Sequence, residues 1–456
     1  MQKRLPEKRD KMNKIEDFLY RNAELYPEKR AVVCGAQVLT YSELLKAVES
    51  RAKELRSSGE GNGRPFAIHT VQSPGFLTDY FAIHLIDGIA VPLERNIPQW
   101  RLNEIETLIA GTEAPRGCAD ILFTTGTTGK SKGVMISHQT IIANGENLVQ
   151  AQGFSEETDF IICGPLNHIG SLSKIYPVLI AGGTLHVTEG LKEPGAFYRA
   201  IGNSGRHATF LVPSAIRMLL TLSSEELGKH ASALDFIETG AAPISQADME
   251  ALCRILPDTR LYNTYASTES GILCTYNFNP SCGGEECIAG CLGRPMKHSR
   301  VFITENGTVS CSGKTLMLGY AADRAATEAI MKDGLLYMND CGRIDERGRL
   351  HLTGRKDDTI NVGGLKVSPV EVENAALSHP SVADCICIAE EHPLMGNRLK
   401  LLVVPADGEK FDKREIARYL GSRLESYKIP ALYQTVESVR RTYNGKIDRK
   451  HYRPKS

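Results

Sequence analysis

No apolar run in this chain reaches the length of a membrane-spanning helix, so no such helix is expected. A net charge is also lacking. The 54 basic residues are matched by 54 acidic ones, which gives no reason to expect a nucleic-acid partner or an anionic membrane surface. The opening stretch MQKRLPEKRDKMNK has no apolar centre and does not read as a secretory signal. Paired CxxC spacings are missing. The 12 cysteines are scattered, as expected of a chain kept in a reducing cytoplasm. Cys282, Cys287 and Cys291, with Cys274 upstream, do not have zinc-site spacing and read as free thiols in a loop. There is no internal repeat and no low-complexity stretch.

What is present is a long chain of ordinary globular composition. At 456 residues, 42% hydrophobic and 24% charged, it predicts two or three domains. Thr40 and Glu43 make a capping box ahead of TYSELLKAVESRAKEL, whose apolar residues recur at helical spacing. RPFAIHTV reads as a buried strand, GFLTDYFAIHLIDGI as a helix and IAVPL as a strand. ADILFTT then leads into a Gly/Thr/Lys loop, followed by the strand GVMIS and the helix HQTIIANGENLVQAQ. This alternation predicts an α/β fold with mostly parallel sheets. From about 280 to 353 short β-like runs dominate, such as SRVFITENGTVSCSG and GRLHLTG. After GRKDD the character changes, which predicts a large multi-layer domain over 1–355 and a small mobile α+β domain over 356–456.

The sharpest local pattern is Thr124, Thr125, Gly126, Thr127, Thr128, Gly129, Lys130, Ser131, Lys132, Gly133. Glycines let backbone N–H groups approach an anion, while hydroxyls and two lysines add donors and charge, which suits a polyphosphate. Walker A spacing is absent, and a strand rather than a helix follows. Taken alone, the pattern also fits a flexible polar hairpin.

This loop resembles the signature of the ANL superfamily: acyl-CoA synthetases, nonribosomal adenylation domains and luciferases. Further segments follow in that family's order along nearly the whole chain. Ser131 stands where the family usually has proline. Pro165-Leu166-Asn167-His168 resembles the motif whose histidine borders the acyl pocket, although a lone buried histidine is more often structural. Gly240-Ala241-Ala242-Pro243 resembles the segment along the adenine. Asn263-Thr264-Tyr265-Ala266-Ser267-Thr268-Glu269 resembles NxYGxTE. The resemblance implies that Tyr265 packs on adenine, Thr268 contacts phosphate and Glu269 holds Mg²⁺. Ala266 replaces a glycine and implies a narrower acyl pocket. Asp340, in Tyr337-Met338-Asn339-Asp340, corresponds to the ribose-binding carboxylate, with Met338 and Asn339 departing from the pattern. Arg355 corresponds to an arginine near ribose and phosphate. Lys446, in Asn444-Gly445-Lys446, corresponds to the catalytic lysine that bridges carboxylate and α-phosphate.

The resemblance further implies that the C-terminal domain rotates about Asp357 between two reaction poses. It also implies that Gly363 and Gly364 line the thiol channel, although a double glycine is equally a turn. The expected activity is an AMP-forming acid–thiol ligase using ATP, Mg²⁺ and coenzyme A. Its partners would be a small carboxylic acid and coenzyme A, or a carrier protein's phosphopantetheine. A stand-alone adenylation enzyme and a non-catalytic nucleotide-binding homologue are the alternatives. Only the linker GTEAPRGCAD separates the helix ending near Ala110 from the strand at Ile121, where the family usually has another strand and helix. The segment after His168 has no aspartate of the kind that binds an α-ammonium, which disfavours an amino acid. Lys174 there is expected to face solvent, although it could meet a second carboxylate.

Overall fold

The structure is a computed structural model describing residues 12–58, 61, 63–69, 72–124, 132–191, 194–202, 205–393, 396–406, 408–409, 411–442 and 447–452. Its centre is a nine-stranded sheet. Strand Leu234–Gly240 is flanked in parallel by His207–Leu211 and Arg260–Ser267. Beyond His207–Leu211 lie Asp159–Ile162, Thr184–Val187 and Arg30–Cys34, also parallel. Both margins turn antiparallel, with Gln37–Thr40 on one side and Gly271–Asn277 on the other. A second sheet runs Pro65–His69, Ile89–Leu93 and Cys118–Thr124 in parallel, then Lys132–Ser137 and Gly319–Tyr320 antiparallel.

Helix His138–Gln152 starts where the sequence predicts. Ser137 caps it by accepting from the Thr140 N–H at 3.0 Å, and Gly153 ends it in the left-handed conformation at φ 70°. Its apolar residues Ile141 and Leu148 join one core with strands of both sheets. The Thr40–Glu43 capping box closes as read, with Glu43 N donating to Thr40 Oγ1 at 3.2 Å and Thr40 N to Glu43 at 2.8 Å. One reading needs correction. Pro65–His69 is an edge strand and largely uncovered, because its partner Ile89–Leu93 lies on one side only. The short linker is real: seven residues separate helix Gln99–Ala110 from the strand beginning at Cys118.

The β-rich stretch forms an antiparallel sheet of Ser299–Ile303, Thr308–Gly313, Leu335–Ile344, Met331–Lys332 and Leu350–Arg355. The C-terminal block has its own three-stranded sheet, Val382–His392, Gly396–Pro405 and Leu432–Thr435, with helices Pro369–Leu377 and Lys413–Gly421. Its core, built on Val372, Leu401, Val403 and Ile416, is separate from the others. Among the described residues no helix is long and apolar enough to cross a membrane.

Candidate active site at the carboxyl ends of the central strands

Parallel strands expose a crevice at their carboxyl ends, the usual ligand position in open α/β sheets. Here that edge collects the segment at His168, which follows Asp159–Ile162, the end of His207–Leu211, Gly240 and the turn after Ser267. Gly240 has a steric reason to be glycine: a Cβ there would sit 2.6 Å from the Thr264 carbonyl oxygen. Ala241 follows with φ 66°, a left-handed conformation that costs an alanine roughly 1–2 kcal/mol. Strain of this kind persists where the surrounding structure fixes the backbone, and it marks the segment 240–242 as a shaped surface. Ala241 is exposed and Ala242 half-buried.

Tyr265 is buried, and its hydroxyl donates to Asp340 Oδ2 at 2.6 Å. Burial, then the adjacent carboxylate, push its phenol pKa well up, so it stays a donor. Asp340 lies opposite Arg355 across a strand pair, and Arg355 Nε stands 3.7 Å from the second carboxylate oxygen. The two departures from the family pattern have contacts of their own. Met338 Sδ lies 3.4 Å from the Tyr265 hydroxyl. The Asn339 amide donates to Asp357 Oδ2 at 2.9 Å, tying the strand that bears Asp340 to the segment read as a hinge.

Glu269 and Lys132 meet through a residue the sequence reading missed. The Tyr320 hydroxyl donates to Glu269 Oε1 at 3.0 Å, and Lys132 Nζ lies 4.4 Å from the Tyr320 ring centroid. The short strand Gly319–Tyr320 pairs with Lys132–Ser137, which places the ring between cation and carboxylate. No motif marks Tyr320 in the sequence. Thr268 is half-buried in the turn before Glu269. Thr124 pairs with Lys132 across the two strands that flank the Gly/Thr/Lys loop. Residues 125–131 of that loop, including Thr125, Gly126, Thr127, Thr128, Gly129 and Lys130, lie outside the described residues, as does Lys446.

His168 is half-buried and precedes the short helix Ile169–Leu172, accepting from the Leu172 N–H at 2.9 Å through its carbonyl. A Cβ on Gly170 would lie 3.1 Å from Phe210, and one on Gly240 would lie 3.7 Å from the same ring. Phe210 therefore forms a wall between the His168 segment and the Gly240 segment. Lys174 does not face solvent, contrary to expectation. It is 2% exposed, donates to Glu238 Oε1 at 2.7 Å, and stands 4.9 Å from the Phe210 centroid. Burial lowers its pKa against the pull of Glu238. A buried ammonium needs such a partner, and no local pattern marks one 64 positions away.

Gly363 and Gly364, at φ 57° and 90°, form the two-residue turn of the hairpin Ile360–Val362 and Leu365–Val367. The turn is exposed, and the Gly364 N–H donates to Asn361 Oδ1 at 2.9 Å. Near the end of the chain, Arg449 is no solvated charge. Its guanidinium forms a bidentate pair with buried Glu373, at 2.9 and 2.5 Å, and lies 3.7 Å from Asp358. Of the cysteine cluster, Cys274 is buried on strand Gly271–Asn277 rather than in a loop, and Cys287 contacts Cys253.

Comparison with known proteins adds to this geometry. The family model of AMP-binding enzymes matches residues 19–110 and 109–321, and that of the AMP-binding enzyme C-terminal domain matches residues 371–446. A feruloyl-CoA synthase of Amycolatopsis is 27% identical, over 94% of this chain and 96% of its own. An indoleacetate–CoA ligase of Aromatoleum aromaticum is 25% identical, over 95% and 96% respectively. The ATP-bound crystal structure of MatB from Rhodopseudomonas palustris superposes with a TM-score of 0.86, at 21% identity, over 95% of this chain and 98% of that one.

Proposed function

The chain belongs to the AMP-binding, adenylate-forming enzymes, in their acid–coenzyme A ligase branch, and from that premise we propose that its acid is a monocarboxylate with a compact, largely apolar body. The observation that carries this reading is the 2.7 Å ion pair of Lys174 with Glu238. It ties up the cation that a second carboxylate would need and leaves the Phe210 ring as the neighbour of the His168 segment. The feruloyl and indoleacetate relatives are named for aromatic monocarboxylic acids, which supports the same class.

In the first half-reaction a carboxylate oxygen of the acid attacks the α-phosphorus of ATP. The bond to the β-phosphate oxygen breaks, and pyrophosphate leaves. In the second, a thiolate sulfur attacks the acyl carbon, and AMP leaves with the bridging oxygen. In our reading, Tyr265 and the 240–242 segment form the adenine surface. Asp340, held by Tyr265 and faced by Arg355, accepts from the ribose hydroxyls. Thr124, Thr268, Lys132 and the loop between Thr124 and Lys132 surround the phosphates, where cations and N–H groups offset the growing charge. Lys446 bridges the attacking carboxylate and the phosphoryl oxygens.

Glu269 fits a role toward Mg²⁺. It is a half-buried carboxylate, a hard oxygen donor, oriented by the Tyr320 hydroxyl at 3.0 Å beside the phosphate-loop hairpin. When bound, Mg²⁺ would neutralise phosphate charge. Asp357 serves as the hinge between two poses, and Gly363 and Gly364 let the pantetheine arm pass. The division at 355/356 follows from that role and is consistent with the separate core of the C-terminal block.

The test is acid-dependent ATP–pyrophosphate exchange across aromatic monocarboxylates, fatty acids, dicarboxylates and amino acids. Aromatic or similarly compact monocarboxylates should support exchange best. Preference for a dicarboxylate would overturn the assignment of Lys174, and exchange with none would overturn the reading of the site.

A further inference from the structure

At the amino ends of the central strands, the edge away from the adenylation crevice, three potential metal ligands converge. Asp159 and His207 open neighbouring parallel strands and are paired in register, while His186 comes from the next strand over, Thr184–Val187. His186 Nε2 lies 3.5 Å and His207 Nε2 3.8 Å from the same oxygen, Asp159 Oδ2. One donor atom from each residue falls within 4.8 Å of the others. The His186 and His207 side chains are 11% and 7% exposed, and the Asp159 side chain opens to solvent at 21%.

We propose that Asp159, His186 and His207 form a binding site for a divalent transition-metal ion of the zinc class, separate from the nucleotide site. Both separations exceed the roughly 2.7–2.9 Å of a charge-assisted hydrogen bond. The shorter is close to the donor–donor edge of about 3.3–3.4 Å in a tetrahedron with metal bonds near 2.0–2.1 Å, and the longer needs only a small inward movement of the His207 ring to reach it. His186 Nε2 is buried, and its nearest polar neighbour is this oxygen at 3.5 Å, too far for a well-formed hydrogen bond. A buried ring nitrogen so poorly satisfied asks for an explanation, and a metal supplies one.

The surroundings suit the site. Gly205 leaves room for the His207 ring: a Cβ there would press to 2.7 Å from its Cε1. Two cations face the carboxylate: Arg30, 3.8 Å from Asp159 Oδ2, whose 58% exposure lets it turn to water, and Lys29, which already donates to the Gly182 carbonyl at 2.6 Å. The other histidine–carboxylate cluster, at Glu16, His84 and His138, differs because carboxylates already hold both His84 nitrogens, at 2.6 and 2.9 Å.

A metal here would clamp three adjacent strands at the end of the sheet opposite the chemistry. The test uses the full chain, stripped with chelator and titrated with Co²⁺ alone as a spectroscopic probe, then with competing Zn²⁺. The expected result is one Co²⁺ with visible d–d absorption and no thiolate charge-transfer band. Zn²⁺ should displace it, and the thermal midpoint should rise with metal. His186→Gln, and separately the near-isosteric Asp159→Asn, should weaken binding at least about tenfold while ATP–pyrophosphate exchange is kept, which reports an intact fold. No d–d band in the wild type, a thiolate band, or undiminished binding in both variants would overturn the proposal.

Discussion

The charges at the adenylation edge and the charges in the interior are arranged in opposite ways. At the edge, Arg355 stands 3.7 Å from Asp340 with 43% of its side chain exposed, and Lys132 rests on a ring rather than on a carboxylate. Inside, pairing is tight. Lys174 meets Glu238 at 2.7 Å, Arg449 grips Glu373 bidentately, and His84 bridges Glu16 and Asp120. Loose pairing leaves charge available to a ligand at small cost in water. Tight pairing is what a charge needs once it is buried. Edge substitutions should therefore cost activity and spare stability, and interior ones should do the reverse.

The largest separation is expected at Lys446. Lys446→Ala should slow acyl-AMP formation on the order of 100- to 1,000-fold, with an unchanged thermal midpoint and thiolation of supplied acyl-AMP largely kept. Equal loss of both steps would break the two-pose assignment. Next comes Lys174→Met, which strands the buried Glu238 carboxylate and should cost about 3–5 kcal/mol by denaturant titration. Adding Glu238→Leu should recover much of that loss, and no recovery would mean the pair is not the source. Asp340→Ala should reduce kcat/KM for ATP about 10- to 100-fold with little change in midpoint. A collapse in stability instead would place Asp340 with the interior charges.

A pH series sharpens the comparison from the interior side. Burial alone would press the His84 pKa down from 6.5, but Glu16 and Asp120 override it and hold it at about 10. The folded state thus binds the proton more tightly than the unfolded chain. Its contribution is complete below pH 6.5 and fades as pH rises toward about 10. His84→Gln should flatten the fall in stability across that window, and an unchanged slope would remove the charge from this network. The smallest effect is expected at Asn339→Ala, which loses the 2.9 Å bond to Asp357 and should shift the ratio of the two half-reaction rates only a few-fold.

Features legible in the sequence are local ones. Ser137, Gly153 and the apolar spacing between them define helix His138–Gln152, and Thr40 with Glu43 defines a helix start, because each signal lies within a few residues of what it caps. Ordered motifs brought Tyr265, Glu269, Asp340 and Arg355 forward, and the fold sets Tyr265, Asp340 and Arg355 along one line of contacts. What stayed hidden depended on pairing across the chain. Tyr320 is 51 positions from Glu269, Lys174 is 64 from Glu238, and Arg449 is 76 from Glu373. Spacing cannot show such contacts, so a buried lysine read as a solvated one. Asp159, His186 and His207 sit on three strands that only the sheet order brings together.

The most direct test of the central claim follows the bridging oxygen. An accepted acid labelled with heavy oxygen in its carboxylate is turned over with ATP and coenzyme A, and the nucleotide product is weighed by mass spectrometry. An acyl-AMP intermediate predicts AMP carrying one labelled oxygen, with unlabelled pyrophosphate. Label in inorganic phosphate beside ADP, or unlabelled AMP formed together with acyl-CoA, would contradict it.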